Sequence, residues 1–241
     1  MLHKTRGIVF KCTNYSESSV VVQIFTEKFG LQSYLINGVK KARAKVNNNI
    51  LQPLCLLEMV VYHKPSGNIQ RVAEVRHHPV FSGIPYNILK SSLAMFLNEV
   101  LYKAIRQQTA DDVLFEFLFH AIEILDRTEL GLSNFHLYFL LRLTRFLGFY
   151  PDTTSEAGAK YFDLQNGCFS TTQPAHNHII AEPQTSKWTE LINSNFDNLH
   201  LITISSNDRK ILVEKILTYY QLHIDGFGQI KSHIILEEVL N

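Results

Sequence analysis

Cysteine is scarce: the 241 residues hold only Cys12, Cys55 and Cys168, widely spaced and odd in number. That excludes a disulfide framework and leaves no Cys-x-x-Cys half-site, so all three read as free thiols in a reduced compartment. Proline and glycine are also few, 7 and 11 residues, which excludes a collagen-like or linker-dominated chain. No run of about eighteen apolar residues occurs, so no membrane-spanning helix is expected. The opening Met1-Leu2-His3-Lys4-Thr5-Arg6 passes straight into an alternating pattern, without the apolar stretch and cleavage site of a secretion signal. A cytoplasmic protein is therefore expected.

Catalytic signatures are missing as well. The sequence has no Gly-x-Ser-x-Gly, no Walker loop, no Gly-x-Gly-x-x-Gly after a strand, no His-Glu-x-x-His and no helix with paired carboxylates. The enzymatic alternative is a hydrolase built from scattered groups such as His120 and Asp126. Of the eleven histidines, most have no partner at ligand spacing; His176-x-His178 with Cys168 upstream is the best cluster. It falls one short of the four ligands of a structural zinc site, so neither metal nor cofactor is expected.

What the chain does have is apolar content, 46% against 19% charged, enough for a sizeable core. Its net charge of +1 conceals a split. Residues 1–78 carry eleven Lys and Arg against four Glu, or +7, and the remainder carries −6. Such asymmetry suggests that the first segment meets a polyanion, the alternative being ordinary solubilising charge.

Ile8, Phe10 and Cys12 alternate with Val9 and Lys11, and Val20, Val22 and Ile24 share one parity, which is strand periodicity. Further β-rich runs at 31–37, 54–63 and 69–76 bring the total to five, joined by turn-forming segments such as Lys64-Pro65-Ser66-Gly67-Asn68. Five strands in about 75 residues predict a small barrel of the OB type, with an SH3-like barrel as competitor. Its longest connection, 38–49, carries Lys40, Lys41, Arg43 and Lys45 and no acid. A basic loop beside a barrel face can track phosphates, or it can be a solvated face. Arg6, Lys11 and Tyr34 join these four as candidate nucleic-acid contacts. Tyr34 and Phe25 could stack on unpaired bases, although each taken singly suits a core better.

After Pro85, apolar residues from Ile88 to Ile105 recur at three- and four-residue steps and predict a helix. Thr109 and Asp112 resemble a capping pair for a second helix through Leu125, and Ser133 a cap for a third that ends at Gly148 and Pro151. The three are expected to pack as a bundle centred on the third, whose polar stripe bears His136, Arg142 and Arg145. Residues 152–185 break the rhythm and contain a β-hairpin with an Asn166-Gly167 turn. Helical spacing then resumes to the end. The expected organisation is α+β: an OB barrel over 1–80, then a helical domain over 81–241 with a small insertion.

Ordered short motifs run along nearly the whole chain: Thr5-Arg6-Gly7-Ile8-Val9, Tyr15-Ser16-Glu17-Ser18-Ser19, Thr26-Glu27-Lys28-Phe29-Gly30, Asn37-Gly38-Val39-Lys40-Lys41, Leu51-Gln52-Pro53-Leu54 and Phe146-Leu147-Gly148-Phe149-Tyr150-Pro151. In this order and spacing the chain resembles the bacterial recombination mediator family RecO, in its Bacteroidetes-like branch. The resemblance implies an OB domain, a helical domain and RecF-pathway repair. It further implies binding of single- and double-stranded DNA, strand annealing, and help from RecR in loading recombinase onto DNA coated by single-strand-binding protein. The alternative is a generic single-strand-binding OB protein. Many relatives carry four zinc-binding cysteines after the Leu-Gly-Phe motif, where this sequence retains only Cys168, so 152–185 is expected to be a metal-free remnant held by Tyr161, Phe162, Leu164 and Phe169. The resemblance also suggests Arg142 and Arg145 as a clamp for the acidic, aromatic-ended tail of single-strand-binding protein. Otherwise Glu116, Glu123 or Asp126 takes up these arginines.

Overall fold

The computed structural model describes residues 1–39, 48–65, 67–106, 109–155 and 157–240. Five strands, β1 (Leu2–Asn14), β2 (Val20–Thr26), β3 (Gly30–Ile36), β4 (Leu56–Tyr62) and β5 (Gln70–His77), close into a barrel in the order β1-β2-β3-β5-β4. All neighbours are antiparallel except β3 and β5, which pair in parallel where Tyr34 meets Gln70. This closure decides for the OB-like barrel over the SH3-like one. Val9, Val22, Ile24, Tyr34, Leu57 and Val61 are fully buried. Gly7 lies among them because a Cβ there would stand 2.6 Å from the Ile24 side chain.

The helices are α1 (Ile88–Ala104), α2 (Asp112–Arg127), α3 (Leu132–Leu147), α4 (Gln184–Ile192), α5 (Ser206–His223) and α6 (His233–Leu240). Contacts divide the chain into two compact units, 1–87 with 94–126, and 88–93 with 127–241. Most of α1 and all but the last residue of α2 thus group with the barrel. The reason is aromatic. Ile8 and Phe25 pair across β1 and β2, and the Phe25 ring lies 5.9 Å from Phe10 and 6.0 Å from Phe115 of α2. These outer-face residues are fully covered, so β1 is apolar on both faces along Ile8-Val9-Phe10.

Within the first unit, Asp126 at the end of α2 holds the segment that follows β5. Its carboxylate accepts N–H bonds from Ser82 at 2.9 Å and from Gly83 and Ile84 at 2.8 Å. Burial alone would raise its pKa, but these donors prevail and hold it below the ordinary carboxylate range. A depressed native pKa contributes stability that is complete above the unfolded-state value and is lost as pH falls through the native one. Asp126→Asn should therefore cost about 1.5–3 kcal/mol at neutral pH, and urea unfolding should show the difference from wild type shrinking toward pH 3.

In the second unit, α3 is buried on nearly every side and packs against α4 and α5. Tyr220 donates its hydroxyl to the Leu140 carbonyl at 2.8 Å, and Tyr219 to that of Phe149 at 2.6 Å. The helix starts from Gly131 in a left-handed conformation rather than from a Ser133 cap. Only glycine fits, since a Cβ would lie 3.0 Å from the His200 nitrogen and the Leu199 side chain. Gly148 ends α3 as expected, with the Phe149 N–H bonded to the Thr144 carbonyl at 3.0 Å. Ahead of α2 the cap is Asp111, which accepts from the Leu114 N–H at 2.9 Å, not Thr109. The insertion is a three-stranded sheet, not a lone hairpin: β6 (Tyr161–Asp163) sits between β7 (Cys168–Ser170) and β8 (Ile179–Ala181). Phe162, Leu164 and Phe169 are buried there, while Tyr161 is half-buried.

Candidate nucleic-acid interface

On the outer face of β1, β4 and β5, strand pairing lays charges out in rows. Arg6 lies opposite Glu58, which lies opposite Arg76, and Lys4 lies opposite Val60, which lies opposite Glu74. Cross-strand neighbours of opposite charge attract, so the face largely neutralises itself. Arg76 is ion-paired to Glu58. Arg6 bonds Glu27 at 2.9 Å, also pairs with Glu116 of α2, and holds its guanidinium 5.2 and 4.9 Å from the Phe115 and Phe119 rings. The Glu27 bond leads the interactions that push its pKa further up, and Glu27 is lowered in turn. Arg6 thus fastens α2 to the barrel. The groove of about 720 Å³ along this face is lined by Glu27, Glu58 and Glu74 beside its cations.

A second groove, of about 580 Å³, has no acid among its described lining residues. It is floored by β2 and β3 and walled by the β2–β3 turn and the β4–β5 loop. Lys28 and Arg106 supply positive charge, and Gln23, Gln32, Ser33 and Asn68 supply amides and a hydroxyl. Phe29 and His63 stack at 3.9 Å with their planes 12° apart, and His3 meets the Phe29 edge at 5.3 Å. Burial lowers the His63 pKa, aided by His3 and the N-terminal amine, so the ring is neutral near pH 7. Gln70, 3% exposed, braces the β4–β5 loop: its side chain accepts the Lys64 N–H at 2.9 Å and donates to the Lys64 and Gly67 carbonyls at 2.8 Å. The arrangement offers a π platform, cations and adaptable hydrogen bonds together, which suits an unpaired nucleotide.

The expected contact residues fare differently. Tyr34 is 0% exposed inside the barrel, with burial pushing its phenol up to about 12, so it cannot stack on a base. Its parity places it opposite Val22, on the core side. Arg6 is committed as described. Lys11 is exposed, with its ammonium 4.9 Å from the Tyr102 ring centre. Lys40, Lys41, Arg43 and Lys45 lie outside the described residues. On α3, His136 is fully buried rather than on a polar stripe, and burial drives its pKa down to about 3. Arg142 is half-buried and Arg145 exposed. Of the acids expected to pair with them, Glu116 holds Arg6 and Asp126 holds the 82–84 backbone. The latter commitment also removes Asp126 from a His120 hydrolase arrangement. Sequence reading missed Lys28, Phe29, His63 and Arg106 as a group. Phe29 falls inside a quoted motif, but no local signal joins it to His63.

Among the described residues, no three His, Cys, Asp or Glu groups stand together as a metal site. His176 bonds Asp163 at 3.2 Å, and the same carboxylate group accepts N–H bonds from Gln165 at 2.8 Å and Asn166 at 3.0 Å. Burial raises the Cys168 thiol pKa, with Asp163 and Asp152 adding to the shift, which disfavours the thiolate a metal requires. Elemental analysis of protein purified without added metal should find no stoichiometric zinc, and chelator should leave Tm unchanged. One zinc per chain would reverse this assignment.

Comparison with known proteins fits this architecture. Residues 1–79 match the family model described as recombination protein O N terminal, and residues 85–233 match recombination protein O C terminal. The chain belongs to the RecO family. It is 36% identical over 241 residues to the DNA repair protein RecO of Azobacteroides pseudotrichonymphae, with 100% of both chains covered. The RecO protein of Phocaeicola vulgatus is also 36% identical over 241 residues, and that of Bacteroides fragilis 35% over 242, again with full coverage. RecO membership supports a role in DNA repair and recombination. Among the described residues no helix is long and apolar enough to cross a membrane.

Proposed function

We propose that this protein is a non-catalytic recombination mediator of RecF-pathway repair in the cytoplasm, associating with the nucleoid when repair is under way. It binds single- and double-stranded DNA, anneals complementary strands and, with RecR, helps load recombinase onto DNA coated by single-strand-binding protein. The observation that carries the DNA-binding part is the groove with its Phe29–His63 stack and no acid among its described lining residues, in contrast to the self-neutralised neighbouring face. DNA contact is assigned to segment 1–80, with Arg106 added where it lines the groove. The groove takes unpaired bases, while the loop bearing Lys40, Lys41, Arg43 and Lys45, helped by Lys11, follows phosphates.

Annealing on this reading needs no bond-making group. Neutralised phosphates repel one another less, and the bases of two strands remain free to pair. Labelled complementary strands, mixed with the protein in magnesium, should anneal faster and stay intact. No acceleration, or cleavage, would overturn the reading.

The second unit is assigned to protein recruitment. Arg142 and Arg145, beside half-buried Phe146, form a clamp for an acidic peptide that ends in an aromatic residue, where guanidinium pairs with carboxylate. Calorimetry with the tail of single-strand-binding protein should show at least about tenfold weaker binding to an Arg142→Ala/Arg145→Ala variant. Equal affinity would place the peptide elsewhere.

A further inference from the structure

A small cavity in the second unit is unused by anything above. It measures about 230 Å³ and lies between α5 and α6, with His136 of α3 among its lining residues. Its walls differ sharply in character. Val213, Leu236 and Leu240 are apolar, whereas Arg209, Lys210 and His233 carry nitrogen donors. Lys210 is 3.4 Å from Glu237, the one acid among the described lining residues.

Arg209 is different. Its Nη2 donates to the Ile204 carbonyl at 2.9 Å, but its Nε is buried without a hydrogen-bond partner. The His233 Nδ1 is likewise buried without one. Burial pulls the Arg209 pKa below its ordinary value, and no carboxylate offsets the shift. A guanidinium left partly dehydrated beside an empty donor is costly, and an acceptor of negative charge removes that cost. The volume falls below the roughly 300–1,000 Å³ of ordinary small-molecule pockets, so one short group fits rather than a nucleotide.

We propose that this cavity binds a carboxylate carried on a short branched apolar group. Arg209 Nε–H and the His233 ring, with its proton on Nδ1, bond the carboxylate, while Val213, Leu236 and Leu240 cover the apolar part. Such a group occurs both in free short-chain acids and at the C-terminus of a peptide that ends in leucine.

The test titrates the full-length protein with 4-methylpentanoate and with its uncharged isostere 4-methylpentanamide, following the His233 ring by NMR. The acid should saturate and shift the ring, and the amide should bind at least about tenfold more weakly. Arg209→Gln should abolish the preference for acid, and Leu240→Trp, which fills the cavity from its rim, should abolish binding. A leucine-ended hexapeptide with a free C-terminus identifies a peptide as the source if it binds tighter than the free acid, provided that amidation removes the gain. Equal binding of acid and amide to the wild type, no shift of the His233 ring, or unaltered acid binding by Leu240→Trp would each overturn the proposal. The first two, made on the wild type, decide it even if a variant fails to fold.

Discussion

Replacing Lys40, Lys41, Arg43 and Lys45 together by alanine should flatten the salt dependence of DNA binding more than any other change in this protein. Each phosphate contact contributes about −0.7 to the log–log slope on single strands and about −0.9 on duplex, so four lost contacts remove about 2.8 and 3.6. The four residues supply four of the eleven cations in residues 1–78, and no acid lies in their segment. Arg6 and Arg76, by contrast, are already ion-paired. Fluorescence anisotropy between low and moderate salt measures the slope, and Tm verifies that the barrel is intact. Annealing should slow in parallel. An unchanged slope would remove the loop from the phosphate-binding surface.

Substitution of the ring pair should produce a different pattern. Phe29→Ala with His63→Ala should weaken single-strand binding by about 5- to 150-fold, because stacking on an aromatic ring is worth about 1–3 kcal/mol per base. Duplex affinity should hardly change, since paired bases stay within their own stack. The salt slope should also hold, because the Phe29 and His63 rings neutralise no phosphate. The rings lie 3.9 Å apart, so the single variants should not sum to the double. Equal losses on single strands and duplex would show that the rings only support the fold.

Local patterns made much of the barrel readable. Alternation located the first two strands and β-rich runs the other three, with turn-forming residues in three of the four connections. Closure through the parallel β3–β5 pair could not be read this way, because it joins Tyr34 to Gln70 across the long basic connection. The same limit applies to two of the candidate site residues. Arg6 has the look of a phosphate ligand until Glu116, distant in sequence, is brought beside it. Tyr34 is an aromatic on a strand, and only its pairing with Val22 reveals which face it takes. The third strand of the insertion is three residues long, too short for periodicity to register. At α3, local chemistry favoured Ser133, but the approach of Leu199 and His200 selects a left-handed Gly131 instead.

The Gln70 brace has a kinetic consequence. Its side chain ties Lys64 and Gly67 together by three hydrogen bonds and so fixes both residues of the groove wall before any ligand arrives. On the proposed reading, an arriving base then meets a wall already in place and forfeits little ordering entropy on capture. Capture and release can both be fast, as the proposed annealing of two strands requires.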